Sequence, residues 1–455
     1  MNSDEPPPQH NVAAVILAAG LGTRMRSRTP KELQPLAGRR LIDYVLQAVG
    51  AAHPAQIIIV LSPAKAQMVE SLPEGCEVAW QHEPLGTGHA LAQAMSRLRP
   101  EIDQVAVFFG DHPLLSADVA RRLVEASAAS GALVTLLTTV LPEPGAYGRL
   151  RWDGERITGV VEAKEDTTVY TAPVEVNSGM SCYRRDWLER ELLNIPKSAV
   201  GEYYLTSLVE RAAEESAPAR PVISVVAPRD VAFGVNDRVE LARAENVLRQ
   251  RINERLMRSG VAIVDPKSTF IDDTVEIGQD TRIEPFTTIS GRTVIGEDCR
   301  IGPQAIIRDS QIGNAVVITA SMIESAVIGD RVDVGPYAHL RPGARIGDGA
   351  HIGNYAEIKN SALGPGTHVG HFSYIGDADV GSQVNIGAGT ITCNYDGTKK
   401  HRTIIGSGAF IGSDTMLVAP VEIGSGARTG AGSVVTRDVA PDETVVGVPA
   451  RPVTK

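Results

Sequence analysis

The sequence predicts an α/β unit followed by a parallel β-helix, and three observations carry that prediction. Apolar strand-like runs alternate with helical stretches before residue 237. From Ile271 onward an aliphatic residue returns every six positions. Glycine is skewed, with 27 of the 44 lying after Gly260, where only three leucines occur. The expected order is a disordered extension over 1–11, a Rossmann-like domain with a mainly parallel sheet over 12–236, a linker helix over 237–260 and a left-handed parallel β-helix of hexapeptide repeats over 261–455.

In the first unit, Val12–Leu17 (VAAVIL) is the unbroken apolar run of a buried parallel strand. Similar runs at Ile57–Leu61, Val105–Phe109 and Leu133–Val140 alternate with helical stretches at Arg40–Ala51 and Ser116–Ser130. Ligands of such sheets bind beyond the carboxyl ends of strands. That places two segments at a site: the loop Ala18-Ala19-Gly20-Leu21-Gly22-Thr23-Arg24-Met25, and Gly110-Asp111. Small residues at 20 and 22 let an anion approach backbone N–H groups, and Arg24 and Lys31 add the positive charge that phosphoryl or nucleotidyl transfer needs. A dinucleotide fingerprint would want glycine where Met25 stands, and a P-loop would want Gly-Lys-Ser/Thr. Hydride transfer and P-loop ATP hydrolysis therefore lose support.

Between the units, Asp237–Ser259 reads as an amphipathic helix with a stripe of Val239, Ala242, Val247, Ile252 and Leu256 and a stop at Gly260. The repeat then runs Ile271, Ile277, Ile283, Ile289, Ile295, Ile301, Ile307, and resumes through Ile328, Val334, Leu340, Ile346, Ile352 and Ile358. A persistent six is neither helical nor hairpin spacing. Three hexads make a coil, so Ile271–Val435 predicts about nine coils and a rod of roughly 45 Å. One break, between Thr392 and Ile405, is polar and basic, which suits a loop thrust out from the solenoid for binding.

The 455 residues carry 44 basic and 54 acidic side chains, a formal charge of −10. That argues against nucleic-acid and membrane-surface partners, which call for basic fields. Cys76, Cys182, Cys299 and Cys393 form no CxxC pair, which fits a reducing cytoplasm. The Pro-rich start has no signal-peptide pattern, and no apolar run reaches the ~18 residues of a membrane span.

Leu17-Ala18-Ala19-Gly20-x-Gly22-Thr23-Arg24-Met25 with Pro30-Lys31 resembles the signature of sugar-1-phosphate nucleotidyltransferases. With Gly86-Thr87-Gly88-His89-Ala90, Gly110-Asp111, Gly335–Pro342 (GPYAHLRP), Ile375–Gly397 and the hexads, the chain resembles one family over residues 12–450. That family is the bacterial bifunctional N-acetylglucosamine-1-phosphate uridyltransferase and glucosamine-1-phosphate acetyltransferase (GlmU). The resemblance implies a nucleotidyltransferase domain followed by an acetyltransferase β-helix. It implies a first site joining UTP to N-acetylglucosamine-1-phosphate with release of pyrophosphate. There Leu17, Ala18, Ala19, Gly20, Gln81, Gly86 and Thr87 match nucleotide contacts, and Arg24 and Lys31 match groups that neutralise phosphates. Asp111 and Asn236 match Mg²⁺ ligands, while Gly148, Glu162 and Asn177 match sugar contacts.

It implies a second site acetylating glucosamine-1-phosphate from acetyl-CoA, between subunits of a homotrimer. His371 matches the general base, which suits an imidazole because the ammonium must lose a proton before attack. Arg341, Lys359, Tyr374, Asn385 and Lys400 match sugar-phosphate contacts; Ala388, Asn394, Tyr395, Ser413 and Ala431 match acetyl-CoA contacts. Four places depart from the family pattern: Val448 for an arginine, with Arg451 nearby; Thr367-His368 for Ser-Lys; Ser207 for an acid; and Lys197–Val200 for an amide-rich run. Two other readings are a monofunctional nucleotidyltransferase whose β-helix serves assembly, and a non-catalytic regulatory relative. Retention of His371 and Asn385–Gly397 speaks against the first; Arg24, Lys31, Asp111, Asn236 and His371 together speak against the second.

Overall fold

The computed structural model describes residues 11–163, 166, 168–198 and 201–453. Apart from Asn11, the extension expected to be disordered lies outside these residues, as does the end of the Lys197–Val200 run. The chain forms two compact units, Met1–Val247 and Leu248–Lys455.

In the first unit nine strands make one sheet: β1 Val12–Leu17, β2 Gln56–Leu61, β3 Cys76–Trp80, β4 Gln104–Phe109, β5 Val134–Leu141, β6 Arg149–Asp153, β7 Arg156–Val161, β8 Val174–Arg184 and β9 Val222–Ala227. The spatial order is β9-β5-β8-β4-β1-β2-β3, with the β6–β7 hairpin attached to β8. Neighbours along this path run parallel except at β8, which is antiparallel to both β4 and β5. Strand alternation sends Ala13, Val15 and Leu17 to one face and Val12, Ala14 and Ile16 to the other, and both faces are buried. On the first face lies α2 (Thr87–Met95), through Leu91 and Ala94. On the second lie α1 (Leu41–Gly50), through Val45 and Val49, and α3 (Ala117–Ser130), through Val119 and Leu123. Ser116 caps α3, its Oγ accepting from the Val119 N–H at 3.4 Å.

A helix over Arg238–Arg258 forms where the linker was expected, but its buried stripe differs. Leu241, Ala244, Leu248, Ile252 and Leu256 are buried, whereas Val239 is 60% exposed and Ala242 is also exposed. The buried set steps by three and then four, which keeps one face at 3.6 residues per turn; the stripe through Val239, Ala242 and Val247 drifts off that face.

The second unit is a left-handed parallel β-helix of two- and three-residue strands in sheets of twelve, ten and nine strands. The hexads set the register. Ile283, Ile301, Ile318, Val334, Ile352, Val369 and Ile386 pair in one continuous stack, and Ile289, Ile307, Ile323, Leu340, Ile358 and Ile375 in another. The small residue after each aliphatic one is there because the coils touch at the corners: a Cβ on Gly387 would stand 2.5 Å from the Ser413 nitrogen of the next coil. Thr392, standing where an aliphatic residue is usual, is 1% exposed; its Oγ1 accepts from the Gly376 N–H at 2.7 Å and donates to the Gly376 carbonyl at 3.0 Å. The polar insertion is a hairpin-like loop with an antiparallel bridge between Tyr395 and Lys400.

Because each stacked residue is gripped by neighbours above and below, Ile358→Ala should cost about 3 kcal/mol in denaturant unfolding followed by far-UV circular dichroism. All three tryptophans (Trp80, Trp152, Trp187) lie in the first unit, so tryptophan fluorescence should not register that loss.

Candidate active sites

At the carboxyl ends of β1 and β4 a cleft opens, lined by Leu17, Ala18, Ala19, Gly20, Lys31, Gln81, Gly86, Thr87 and Asp111. These are nine of the residues expected there from sequence. Lys31 is 8% exposed; its Nζ donates to Asp111 Oδ2 at 2.5 Å and to Asn236 Oδ1 at 3.1 Å. His112 approaches from the other side, Nδ1 to Asp111 Oδ1 at 2.7 Å. Burial alone would raise the Asp111 carboxyl; the His112 ring and the Lys31 ammonium outweigh it and hold the group well below the usual carboxylate range. Asp111 is thus an anion built into the cleft wall. Gln81 is buried and donates to the Gly86 carbonyl at 3.1 Å. Gly86 adopts φ +96° and lies so close to the chain at Tyr203 that a Cβ would meet the Tyr203 carbonyl at 2.7 Å. Arg24, expected at this site, is exposed and makes no hydrogen bond or ion pair among the described residues.

The expected sugar contacts group together beside this cleft. The Asn177 N–H donates to the Gly148 carbonyl at 2.8 Å, and a Cβ on Gly148 would lie 3.9 Å from Glu162 Oε2. The Thr206 hydroxyl donates to Glu162 Oε1 at 2.9 Å, and Thr87 Oγ1 accepts from the Leu205 N–H at 3.2 Å. Ser207 donates to the Tyr204 carbonyl at 2.7 Å and so continues the same turn.

On the β-helix, Arg341, Lys359 and Tyr374 come from successive coils of the ten-stranded sheet, and the insertion loop brings Lys400 to them. The Lys400 ammonium, with the Arg341 guanidinium, lowers the Lys359 amine below its ordinary value. Three cations thus gather at one place on the sheet. Arg341 is oriented by Glu357 at 2.6 Å. Asn394 is buried and donates to Asp377 Oδ2 at 2.6 Å, which pins the start of the loop; its Nδ2 lies 3.5 Å from the Tyr374 hydroxyl. Tyr395 is 61% exposed, and its hydroxyl donates to the Gly397 carbonyl at 2.7 Å. Ala388 and Ser413 lie along one corner, their carbonyls accepting from Asp414 at 2.7 Å and Gly432 at 2.8 Å on the next coil. Ala431 continues that row beside Gly432.

His371 is exposed at a corner, its ring 3.1 Å from where a Cβ on Gly353 would stand, and its side chain has no hydrogen-bond partner among the described residues. Asn385 lies on the twelve-stranded sheet, and no hydrogen bond joins it to the cation cluster among the described residues. Val448 is 73% exposed, and among the described residues Arg451 reaches only the Ala450 carbonyl, at 3.1 Å.

Sequence reasoning missed three features. His112 stands directly after Asp111, a position that could have been weighed. Beneath the Gly-rich loop, buried Lys65 and Glu32 pair at 2.7 Å; burial pushes the carboxyl up and the amine down, and each partner opposes that. Beside His371, the rings of Tyr337, Tyr355 and Phe372 stack at 5.3 and 5.1 Å between centroids, all more than half exposed.

Residues 14–154 match the profile of the MobA-like NTP transferase domain. Residues 274–309, 325–360 and 402–437 match that of the bacterial transferase hexapeptide (six repeats). The chain is 45% identical over 432 residues to the bifunctional protein GlmU of Heliobacterium modesticaldum, with 94% of each chain covered. It is 45% identical over 432 residues to that of Thermotoga petrophila, also covering 94% of each, and 42% identical over 443 residues to that of Geotalea uraniireducens, covering 96% of each. With such identity along nearly the whole length of both units, the chain belongs to the bifunctional GlmU family.

Proposed function

We propose that the two activities of this enzyme of UDP-N-acetylglucosamine synthesis are divided between its units: acetyl transfer on the β-helix over 261–455, then uridyl transfer in the α/β unit over 12–236. The observation that carries the reading is the convergence of Lys31, Asp111 and Asn236 at the mouth of the Gly-rich loop, in a chain that also gathers Arg341, Lys359 and Lys400 on its β-helix. Each is a place for a phosphate, and the substrates of the overall reaction, glucosamine-1-phosphate, acetyl-CoA and UTP, all carry phosphate groups.

In the first site the phosphate oxygen of N-acetylglucosamine-1-phosphate attacks the α-phosphorus of UTP, and pyrophosphate leaves. The loop Leu17–Gly20 presents N–H groups to the nucleotide, Gln81 and Gly86-Thr87 help hold it, and Arg24 and Lys31 face the phosphates. Gly148, Glu162 and Asn177 orient the sugar. One carboxylate and one amide oxygen on either side of the Lys31 ammonium suit Mg²⁺, which commonly takes one or two protein oxygens and completes its shell with phosphates and water. Asp111 and Asn236 would hold that ion, which supplies charge neutralisation on the phosphates.

In the second site His371 takes a proton from the ammonium of glucosamine-1-phosphate. The freed amine attacks the acetyl-CoA carbonyl, and the CoA thiol leaves. Arg341, Lys359, Tyr374, Asn385 and Lys400 hold the sugar phosphate; Ala388, Asn394, Tyr395, Ser413 and Ala431 line the acetyl-CoA path. The separation of Asn385 from the cation cluster within one chain, and the exposed ladder of Tyr337, Tyr355 and Phe372, support a site completed by neighbouring copies in a homotrimer. Four free thiols support a reducing, cytoplasmic setting, and no helix among the described residues is long and apolar enough to cross a membrane.

His371→Ala should lower acetyl transfer by about 10²- to 10⁴-fold and leave uridyl transfer within about twofold, while Asp111→Ala does the reverse. Parallel assays of both activities on each variant check this; a joint loss in folded protein overturns the division. Lys359→Ala should raise KM for glucosamine-1-phosphate about tenfold, the loss of one charge-assisted contact, with KM for acetyl-CoA unchanged. Light scattering should give three times the 48.3 kDa chain mass; a single-chain mass would overturn the shared site.

A further inference from the structure

We infer that the buried Lys65–Glu32 pair is a positioning device for uridyl transfer: it holds the Ala18 carbonyl, and through it the Gly-rich loop, in the conformation that receives the nucleotide triphosphate. The inference rests on the reading of the first site given above.

Lys65 is 4% exposed and Glu32 is 2% exposed. Lys65 Nζ donates to both Glu32 oxygens at 2.7 Å and to the Ala18 carbonyl at 2.7 Å. An ammonium has three N–H donors, and these three acceptors use them all. Ala18 is the first residue beyond β1, and its N–H donates to the Val60 carbonyl at 2.9 Å, so the sheet secures one side of its peptide. Its carbonyl has left the ladder, is buried, and needs a donor that no strand offers. Lys65 supplies it.

The same pair reaches the rest of the site. Glu32 shares a single helical turn, Lys31–Leu33, with Lys31; one residue faces Lys65 and the other faces Asp111 and Asn236. Gly110, directly before Asp111, packs so closely that its Cβ would lie 2.9 Å from Ala18 Cβ and 3.5 Å from Glu32 Cγ. Three walls of the cleft therefore lean on one ion pair. A buried ion pair is seldom a net source of stability compared with an apolar pair of the same volume. What it provides that methyl groups cannot is a directed donor to the Ala18 oxygen. Glu32 borders the cleft but Lys65 does not, so the ammonium acts through Ala18 and not on the substrate.

The test is the double variant Glu32→Val/Lys65→Met in the full-length protein, which removes both charges and keeps the volume. Tryptophan fluorescence and thermal unfolding report whether the first unit folds, and acetyl transfer reports on the second. The expected result is a folded protein with acetyl transfer unchanged, KM for UTP raised about tenfold or more, and KM for N-acetylglucosamine-1-phosphate within twofold of the parent. Lys65→Arg, which retains a donor and the charge, should restore part of the UTP affinity. If the double variant misfolds, Glu32→Gln/Lys65→Met, which keeps the shape of the acid and removes the ammonium donor, decides: an unchanged KM for UTP together with an unchanged titration of UTP binding by calorimetry overturns the inference. In a folded double variant, UTP and sugar KM values that both match the parent, or rise together, also overturn it. Absence of uridyl transfer in the parent protein would instead overturn the underlying assignment of the site.

Discussion

Holding polyphosphates on a chain of net charge −10 is the constraint on which both sites turn. Long-range attraction cannot supply the binding, so it must come from a few cations whose positions are fixed in advance. The structure fixes them with acids. Lys31 is held by Asp111 and Arg341 by Glu357, and in both pairs the acid sits on a different segment from its cation. The free energy of ordering these long side chains is spent in folding, before any ligand arrives. On the β-helix a second device appears, in which Lys359 and Lys400 are held near each other against their mutual repulsion. An anion bound between them would relieve that repulsion.

Both scaffolds can hold such arrangements because neither relies on long loops for geometry. In the α/β unit Leu17–Gly20, Gln81 and Asp111 lie within a few positions of strand ends, where the ladder has already set the backbone, and Lys31 sits on a helical turn. In the β-helix every coil copies the one below, so Lys359 and Gly376 pair in neighbouring strands and Arg341 directly follows the strand beneath them, with the regularity of the repeat. The exceptions are those that chemistry demands: the Gly86 turn against Tyr203, and the loop that carries Asn394, Tyr395 and Lys400.

The parts legible in the sequence were those encoded by short-range spacing. The hexads named their own stacking partners, because a residue six along faces the interior again and one full coil along meets its neighbour. The runs at Val12–Leu17 and Val105–Phe109 became β1 and β4, with Asp111 just beyond the second. Long-range pairing was not legible. Lys65 stands between alanines in Ser62-Pro63-Ala64-Lys65-Ala66 and reads as a solvated charge, because its partner Glu32 is 33 positions away. The antiparallel β8 carries Glu175, Asn177 and Ser178 and lacks the apolar continuity of its neighbours. The linker stripe was read on the wrong face because Val239 and Val247 are more apolar than Ala244, although burial follows helical geometry.

The insertion after Thr392 leaves the solenoid and rejoins it without a change of register: Thr403, Ile404 and Ile405 pair with Ala378, Asp379 and Val380 as if no residues intervened. The departure is clamped by Asn394 on Asp377, which also receives the Asn360 amide at 2.5 Å. The loop is therefore an exchangeable cartridge. Its length and charge can drift in evolution, or be replaced by design, without unwinding the coils above and below it. The loop can then change at the pace of a surface segment while the scaffold keeps the pace of a core.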